Sequence, residues 1–250
     1  MKYLLVVLLL LSLSSIGQTK IVESNSLSWW ANVNNYTFSD KLYATSEIHI
    51  RRSDFVENWQ QFLVRPTITY VLNTNVNIGV GYSHLENYPY GKQPISIQTP
   101  ENNVFEQLVL SQKAGKVSFK HRYRLEHRFI GKTTTYSIDE LIIEGTNYAQ
   151  RFRYQFSINF DIKKFENDRK IFFTGYDEIF LNLNNSFTIS NFNQNWTLLA
   201  IGYQFNKKLS ISAGYRNQWT KSGDNVHYEN NHALDFTLKY NFDFRKNIEE

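Results

Sequence analysis

The feature that most constrains this chain is a two-residue alternation that recurs almost from end to end. Residues 117–129 read VSFKHRYRLEHRF. One alternate set holds Ser118, Lys120, Arg122, Arg124, Glu126 and Arg128. The other holds Val117, Phe119, His121, Tyr123, Leu125, His127 and Phe129. Successive strand side chains point to opposite faces, so this segment is a strand with one charged face and one largely apolar, aromatic face. The same split appears around 42–52, where Leu42, Ala44, Ile48 and Ile50 oppose Tyr43, Thr45, Glu47, His49 and Arg51. It recurs at 61–70, 76–83, 149–161, 209–216 and 234–242, and less cleanly at 28–38, 103–113, 170–182 and 195–205. No segment carries a convincing helical period. The chain is predicted to be all-β.

Alternation alone does not say which face meets water. A soluble up-and-down barrel points its apolar face in and its charges out; a membrane barrel reverses this. Three features select the membrane form. Tyr and Phe fall near strand ends on the apolar sets, as interfacial girdles require. The polar sets mix small residues (Gly79, Gly81, Ser210, Ser212, Gly214) with long charged ones, which suits a crowded interior. Several segments run for about ten residues, the length of a tilted membrane strand. The charged set of 117–129 is therefore expected inside. By the same alternation Trp59 and Trp196 point inward, unless bulges near strand ends reverse them.

The links set the topology. Short turns are expected at Ser39–Asp40, Asn73–Asn75, Ala114–Lys116 and Asn206–Lys208. Longer connections are expected at Ser53–Glu57, Tyr88–Asn102, Gly131–Asn147, Asn182–Asn195 and Thr220–Tyr228. Alternating short and long links are what an up-and-down antiparallel transmembrane barrel produces. The link Ile162–Arg169 is long for its place. Pro89, Pro94 and Pro100 fall in one long link, whereas Pro66 counts against its strand being regular throughout. The eleven runs sit awkwardly with the even counts of bacterial barrels. About twelve strands are expected, with Gln18–Leu27 hiding a further strand or threading the lumen, and ten is the fallback.

The ends and composition fix the setting. Lys2, an apolar run from Tyr3 to Leu13 and small residues before a cut after Gly17 read as a secretory signal peptide. Residues 1–17 are thus the predicted signal and 18–250 a single outer-membrane barrel domain. A transmembrane anchor would need roughly 18 apolar residues. There is no cysteine, so neither a lipid anchor nor a disulfide framework is expected. The mean hydropathy of −0.45 argues against a helical membrane protein but not against a barrel, whose strands need only every second residue apolar. Aromatic residues make up 16% of the chain, which suits strands and girdles. The predicted location is the bacterial outer membrane, with outer-membrane lipid as a partner. Nucleic acid is set aside for an exported chain of formal charge +4.

The candidate site is the lumen wall: Glu47, Lys120, Arg122, Arg124, Glu126, Arg128, Arg151, Arg153 and Glu178. One reading is an ion-pair network that fills a narrow barrel, because buried charges must be paired; Asp161 and Asp235 would add counter-charges. The other is an anion-favouring path or a solute-binding barrel with a small anionic solute, since charged rings are how pores select. An outer-membrane lipid hydrolase is the rival class. His84 sits at the outer end of its strand, but Ser83 points the opposite way, so no catalytic residues are assigned and no enzyme is expected. His121 and His127 share a face yet lie six residues apart, about 20 Å along a strand, too far for one ion. No metal or cofactor is expected.

RYRLEHRF at Arg122–Phe129, YDEIF at Tyr176–Phe180, the Gly-Tyr pairs at 81–82, 202–203 and 214–215, and WQQFLVRPTITYVL from Trp59 carry a resemblance. The chain resembles an uncharacterised family of bacterial outer-membrane β-barrels, of the domain of unknown function 2490 type. The resemblance covers most of the mature chain. It implies fold and location, and it carries no chemistry over.

Overall fold

The computed structural model describes residues 20–91, 95–137, 140–183, 191–222 and 226–245; the predicted signal peptide and Pro94 lie outside them. Among the described residues the regular elements are eleven strands. They are β1 (Ile21–Thr37), β2 (Leu42–Ser53), β3 (Asn58–Asn73), β4 (Val76–Asn87), β5 (Thr99–Ala114), β6 (Val117–Ser137), β7 (Glu140–Lys164), β8 (Lys170–Asn182), β9 (Phe192–Gln204), β10 (Leu209–Lys221) and β11 (His227–Asp243). Each pairs antiparallel with its chain neighbours, and β1 closes on β11, giving an up-and-down barrel.

Eleven falls between the expected twelve and the fallback of ten. Residues 21–27 form no separate strand and do not thread the lumen. They lengthen β1 until it starts level with β11, at Ile21↔His227. With an odd count the first and last strands run the same way, so the closing pair is parallel. Its register holds from Ile21↔His227 to Thr37↔Asp243.

The faces are inverted relative to a soluble barrel. Val80 and Ile201 on the outer surface are each 59% exposed, whereas Glu126 and Glu178 inside are each 1% exposed. Rings gather on the outer face near the short-turn rim, where Tyr36 stacks on Phe242 at 5.1 Å and Phe242 on Phe244 at 6.1 Å. Along the outward set of β11, the apolar side chains run from Leu234 to Phe242, with His232 above them. These nine residues span about 27 Å end to end, and at a tilt near 40° they project to about 21 Å before the length of the end side chains is added, close to the ~25 Å height of a membrane barrel's apolar band.

Local chemistry explains the departures from a regular ladder. Pro66 lies inside β3; its pairing with β2 continues, but the ladder to β4 is interrupted between Val64↔His84 and Thr67↔Gly81. Pro100 belongs to β5 and not to the preceding link. It pairs with Glu86 of β4, while the β5–β6 ladder begins one residue later at Glu101, so its missing N–H faces an unpaired side. The expected link at Gly131–Asn147 is mostly ribbon: β6 and β7 continue as a two-stranded extension to Ser137↔Glu140. A register shift at Arg51/Arg52 sets Arg52 opposite Trp59, which turns Trp59 to the outer face, 40% exposed. Trp196 keeps the inward direction that alternation predicts.

Two inward glycines are required by a facing ring. Phe105 is the cross-strand partner of Gly81, and a Cβ there would lie 2.3 Å from the Phe105 Cζ. Gly202 has the same relation to Phe172 at 2.2 Å. In each pair the ring covers the backbone that the missing side chain exposes.

Candidate functional site in the barrel interior

At mid-height, inward residues from β2 to β11 meet in a charged and aromatic layer. On β6 and β7 the register places Arg124 opposite Arg153 and Glu126 opposite Arg151. Two arginines face to face repel, and their side chains part. Arg153 reaches across to two carboxylates, donating from Nη1 to Glu126 at 2.6 Å and from Nε to Glu178 at 2.8 Å. Arg151 donates to the other Glu126 oxygen at 2.8 Å from Nε and lies 2.6 Å from it at Nη2. Arg122 donates to Glu178 at 2.7 Å, and Gln155 gives Glu178 a further bond at 2.9 Å. Arg128 forks onto Glu101 at 2.6 and 2.8 Å. Glu47 meets Arg65 at 3.2 Å and His49 at 2.8 Å.

Arg124 finds no carboxylate. It lies over the Phe105 ring at 4.0 Å and donates twice to the Gln107 Oε1, with Nη1 left without a partner. Lys120 makes no ion pair among the described residues; it points toward the short-turn end, near Lys239. Of the nine predicted lumen residues, seven (Arg122, Glu126, Arg128, Arg151, Arg153, Glu178 and Glu47) are thus drawn into ion pairs, while Arg124 and Lys120 are not.

The layer includes parts that were not singled out in the sequence. Trp29, Trp196, Phe180, Leu27 and Ala233 form a buried cluster inside the lumen. Guanidinium groups stack on it: Arg51 over Trp29 at 4.0 Å, Arg153 over Phe180 at 4.2 Å, Arg216 over Trp29 at 4.6 Å. Flat cations on ring faces are favourable, more so away from water. Arg216 also donates to Asp235 at 3.0 and 2.5 Å and to the Tyr176 hydroxyl. Arg51, Arg65 and Arg216 all belonged to inward alternate sets. Membership of those sets is the signal that marks them: Arg65 and Arg216 are single charges on the inward sets of their strands, whereas Arg51 follows Glu47 and His49 on one face.

Above this layer a loop residue enters the barrel. Tyr90, in the link after β4, packs on the aromatic cluster and donates to Glu229 at 2.8 Å. Asn231 joins Glu229, Gln218 and Tyr90 at 3.2, 3.2 and 3.3 Å. Burial, then the Glu229 charge, pushes the Tyr90 phenol above its ordinary value. Below the layer the lumen widens to a chamber of about 900 Å³ at the short-turn rim, with Tyr176 and Leu198 at its inner end.

Outside the wall, His84 bonds Asn102 at 2.9 Å and Glu86 at 3.1 Å. Ser83 faces the lumen, where its hydroxyl accepts from Arg65 at 3.0 Å. The wall therefore separates the two. His121 shares a bond with the Tyr154 hydroxyl at 2.8 Å and His127 with that of Tyr148 at 2.7 Å. His121 and His127, on the apolar face, are thus each matched to a phenol on the next strand, whereas His84 is held by an amide and a carboxylate.

The profile of one family, described as a protein of unknown function, DUF2490, matches residues 27–230. No curated protein matches the chain.

Proposed function

The chain belongs to the DUF2490 family, and we propose from its geometry that it is a barrel of the bacterial outer membrane with a closed lumen, a binding or structural barrel and not an open channel. One observation carries the placement: the outer surface is an apolar band with rings near its lower edge, while the charges lie inside. Water on the outside would leave that band as a large exposed apolar patch, which soluble monomers avoid. The exported character read from residues 1–17 supports the same location. The closed lumen is supported by the mid-height layer, where Arg153 ties Glu126 to Glu178 and rings fill the space between guanidinium groups. With Ser83 and His84 on opposite sides of the wall, catalysis plays no part in this reading.

The test has two stages. The protein should fractionate with outer membranes and migrate as a compact, heat-modifiable band; recovery as a detergent-free soluble monomer would overturn the placement. Purified protein in a planar bilayer should then give no steady conductance. Arg122→Glu combined with Arg151→Glu should lower thermal stability, because it sets like charges beside Glu178 and Glu126. Steady anion-selective current that those substitutions reverse would make the barrel a channel.

A further inference from the structure

The basic residues that were predicted to line a path are mostly engaged at mid-height, where Arg124 and Arg51 lie on rings and amides without a carboxylate, and a second excess of positive charge faces open space nearer the short-turn rim. Six lysines and one aspartate line the chamber at the short-turn rim, a formal excess of five positive charges. Asp161 is already shared between Lys170 at 2.8 Å and Lys164 at 3.3 Å. Lys113, Lys116 and Lys239 make no ion pair among the described residues. Lys239 on β11 has Lys120 on β6 and Lys170 on β8 as its charged neighbours, so like charges from three separate strands come near one another at this end of the lumen. Evenly spread ion pairing would have dispersed these charges. Between them stand neutral hydrogen-bonding side chains, Ser210, Ser212 and Thr237 among them.

We propose that this chamber is a binding site for a small soluble polyanion bearing phosphate or carboxylate groups. Lysine is a mobile point charge that suits phosphate oxygens, and a concave wall of one sign concentrates counter-ions. A volume of about 900 Å³ lies in the upper part of the ~300–1,000 Å³ range of small-molecule sites. Tyr176 and Leu198 stand at its inner end, and its mouth is at the short-turn rim. The compartment that rim faces, the periplasm, rests on the outer-membrane reading; the binding itself does not.

The test uses the full chain, folded in detergent, with inorganic tripolyphosphate as the probe and calorimetry as the readout. Saturable binding of about one probe per barrel is expected. It should weaken at least tenfold between 0.1 and 1 M salt, as the screening length falls from about 10 to about 3 Å. Lys170→Gln with Lys239→Gln should weaken it about tenfold or more while heat-modifiability is retained. Should that pair fail to fold, Lys113→Gln with Lys116→Gln, which flank the β5–β6 turn, should weaken binding in the same direction. Lys132→Gln, near the far rim, should leave affinity unchanged. Absence of saturable binding, or equal losses for Lys132→Gln and the chamber variants, would overturn the proposal. Displacement of the probe by phosphatidylglycerol micelles, but not by soluble citrate or pyrophosphate, would overturn the soluble source in favour of a lipid headgroup. Current in the bilayer experiment would overturn the closed lumen and leave this binding result standing, and the reverse also holds.

Discussion

Replacing Arg216 by methionine should cost the barrel about 4 kcal/mol, and removing Asp235 as well should return most of it. The pair offers an isolated test of how the interior is held. Arg216 donates to one oxygen of Asp235 from both Nε and Nη2, at 3.0 and 2.5 Å. Among the described residues, the Asp235 carboxylate has beyond Arg216 only Thr237, at 3.5 Å. Both residues are less than 10% exposed. In Arg216→Met the carboxylate stays in place without its cation, and breaking a buried pair in this way costs about 3–5 kcal/mol. Loss of the guanidinium from the Trp29 face adds about 0.5–2 kcal/mol, offset in part by the apolar volume of methionine. Asp235→Leu should cost a similar amount, since Arg216 would keep only rings and the Tyr176 hydroxyl. In the double variant Arg216→Met/Asp235→Leu no charge is stranded, and replacing a buried pair by apolar residues is often close to neutral. Its destabilisation should fall at least ~3 kcal/mol below the sum of the single losses. Urea unfolding of the detergent-folded barrel, followed by tryptophan fluorescence, supplies all four corners of the cycle. Equality of the double variant with the sum would refute the reasoning, because it would mean that packing and not charge pairing sets the cost.

On the outer face, Leu238→Arg and Phe156→Arg should each cost ~2–4 kcal/mol if the residue lies near a bilayer midplane, whereas inward Ser157→Arg should be milder; equal tolerance in lipid vesicles would reverse the face assignment. Gly81→Val drives a side chain into Phe105, the ring beneath Arg124, and should lower stability by ~1–3 kcal/mol, read as a fall in the temperature at which the compact gel band disappears. Tyr90 is held protonated in the folded state, with its phenol raised from the ordinary 10.0. Its contribution is therefore complete below pH 10 and lost as pH rises above it. Protease cleavage in the link after β4 should accelerate above pH 10, and Tyr90→Phe should already show faster cleavage at neutral pH.

The strand architecture was legible because alternation records burial directly: over most of each strand an inward residue of this barrel is polar or small and an outward one apolar, with the inward rings of Trp29, Phe105, Phe180 and Trp196 among the exceptions. The same rule placed the charges of β6 and β7 inside, and it assigned Trp196 correctly. It could not assign Trp59, because a bulge adds one residue and flips the face while leaving no trace in the side-chain pattern. Nor could it find the Arg216–Asp235 pair, whose partners sit on neighbouring strands in diagonal positions that only the register reveals. Gly131–Asn147 was taken for a link because its Thr-rich, weakly alternating residues have no barrel neighbour to bury against. The lysine chamber was missed for a related reason. Its charges come singly or as one adjacent pair from β5, the β5–β6 turn, β7, β8 and β11, and only closure of the sheet brings them together.

The parallel seam between β1 and β11 has a consequence for how this chain could be re-engineered. In a barrel with an even strand count, the first and last strands begin and end at the same rim, and a short linker can join them so that new ends are cut elsewhere. Here Ile21 and Asp243 lie at opposite rims, separated by roughly 50 Å along the strand direction. A joining segment would have to cross the apolar band outside or the packed layer of Trp29, Arg153 and Glu178 inside. Circular permutation is therefore closed to this barrel, although its turns would tolerate new ends. Splitting it into two co-expressed halves at the Gly115 turn, where no neighbouring atom crowds the backbone, is the rearrangement that the topology permits.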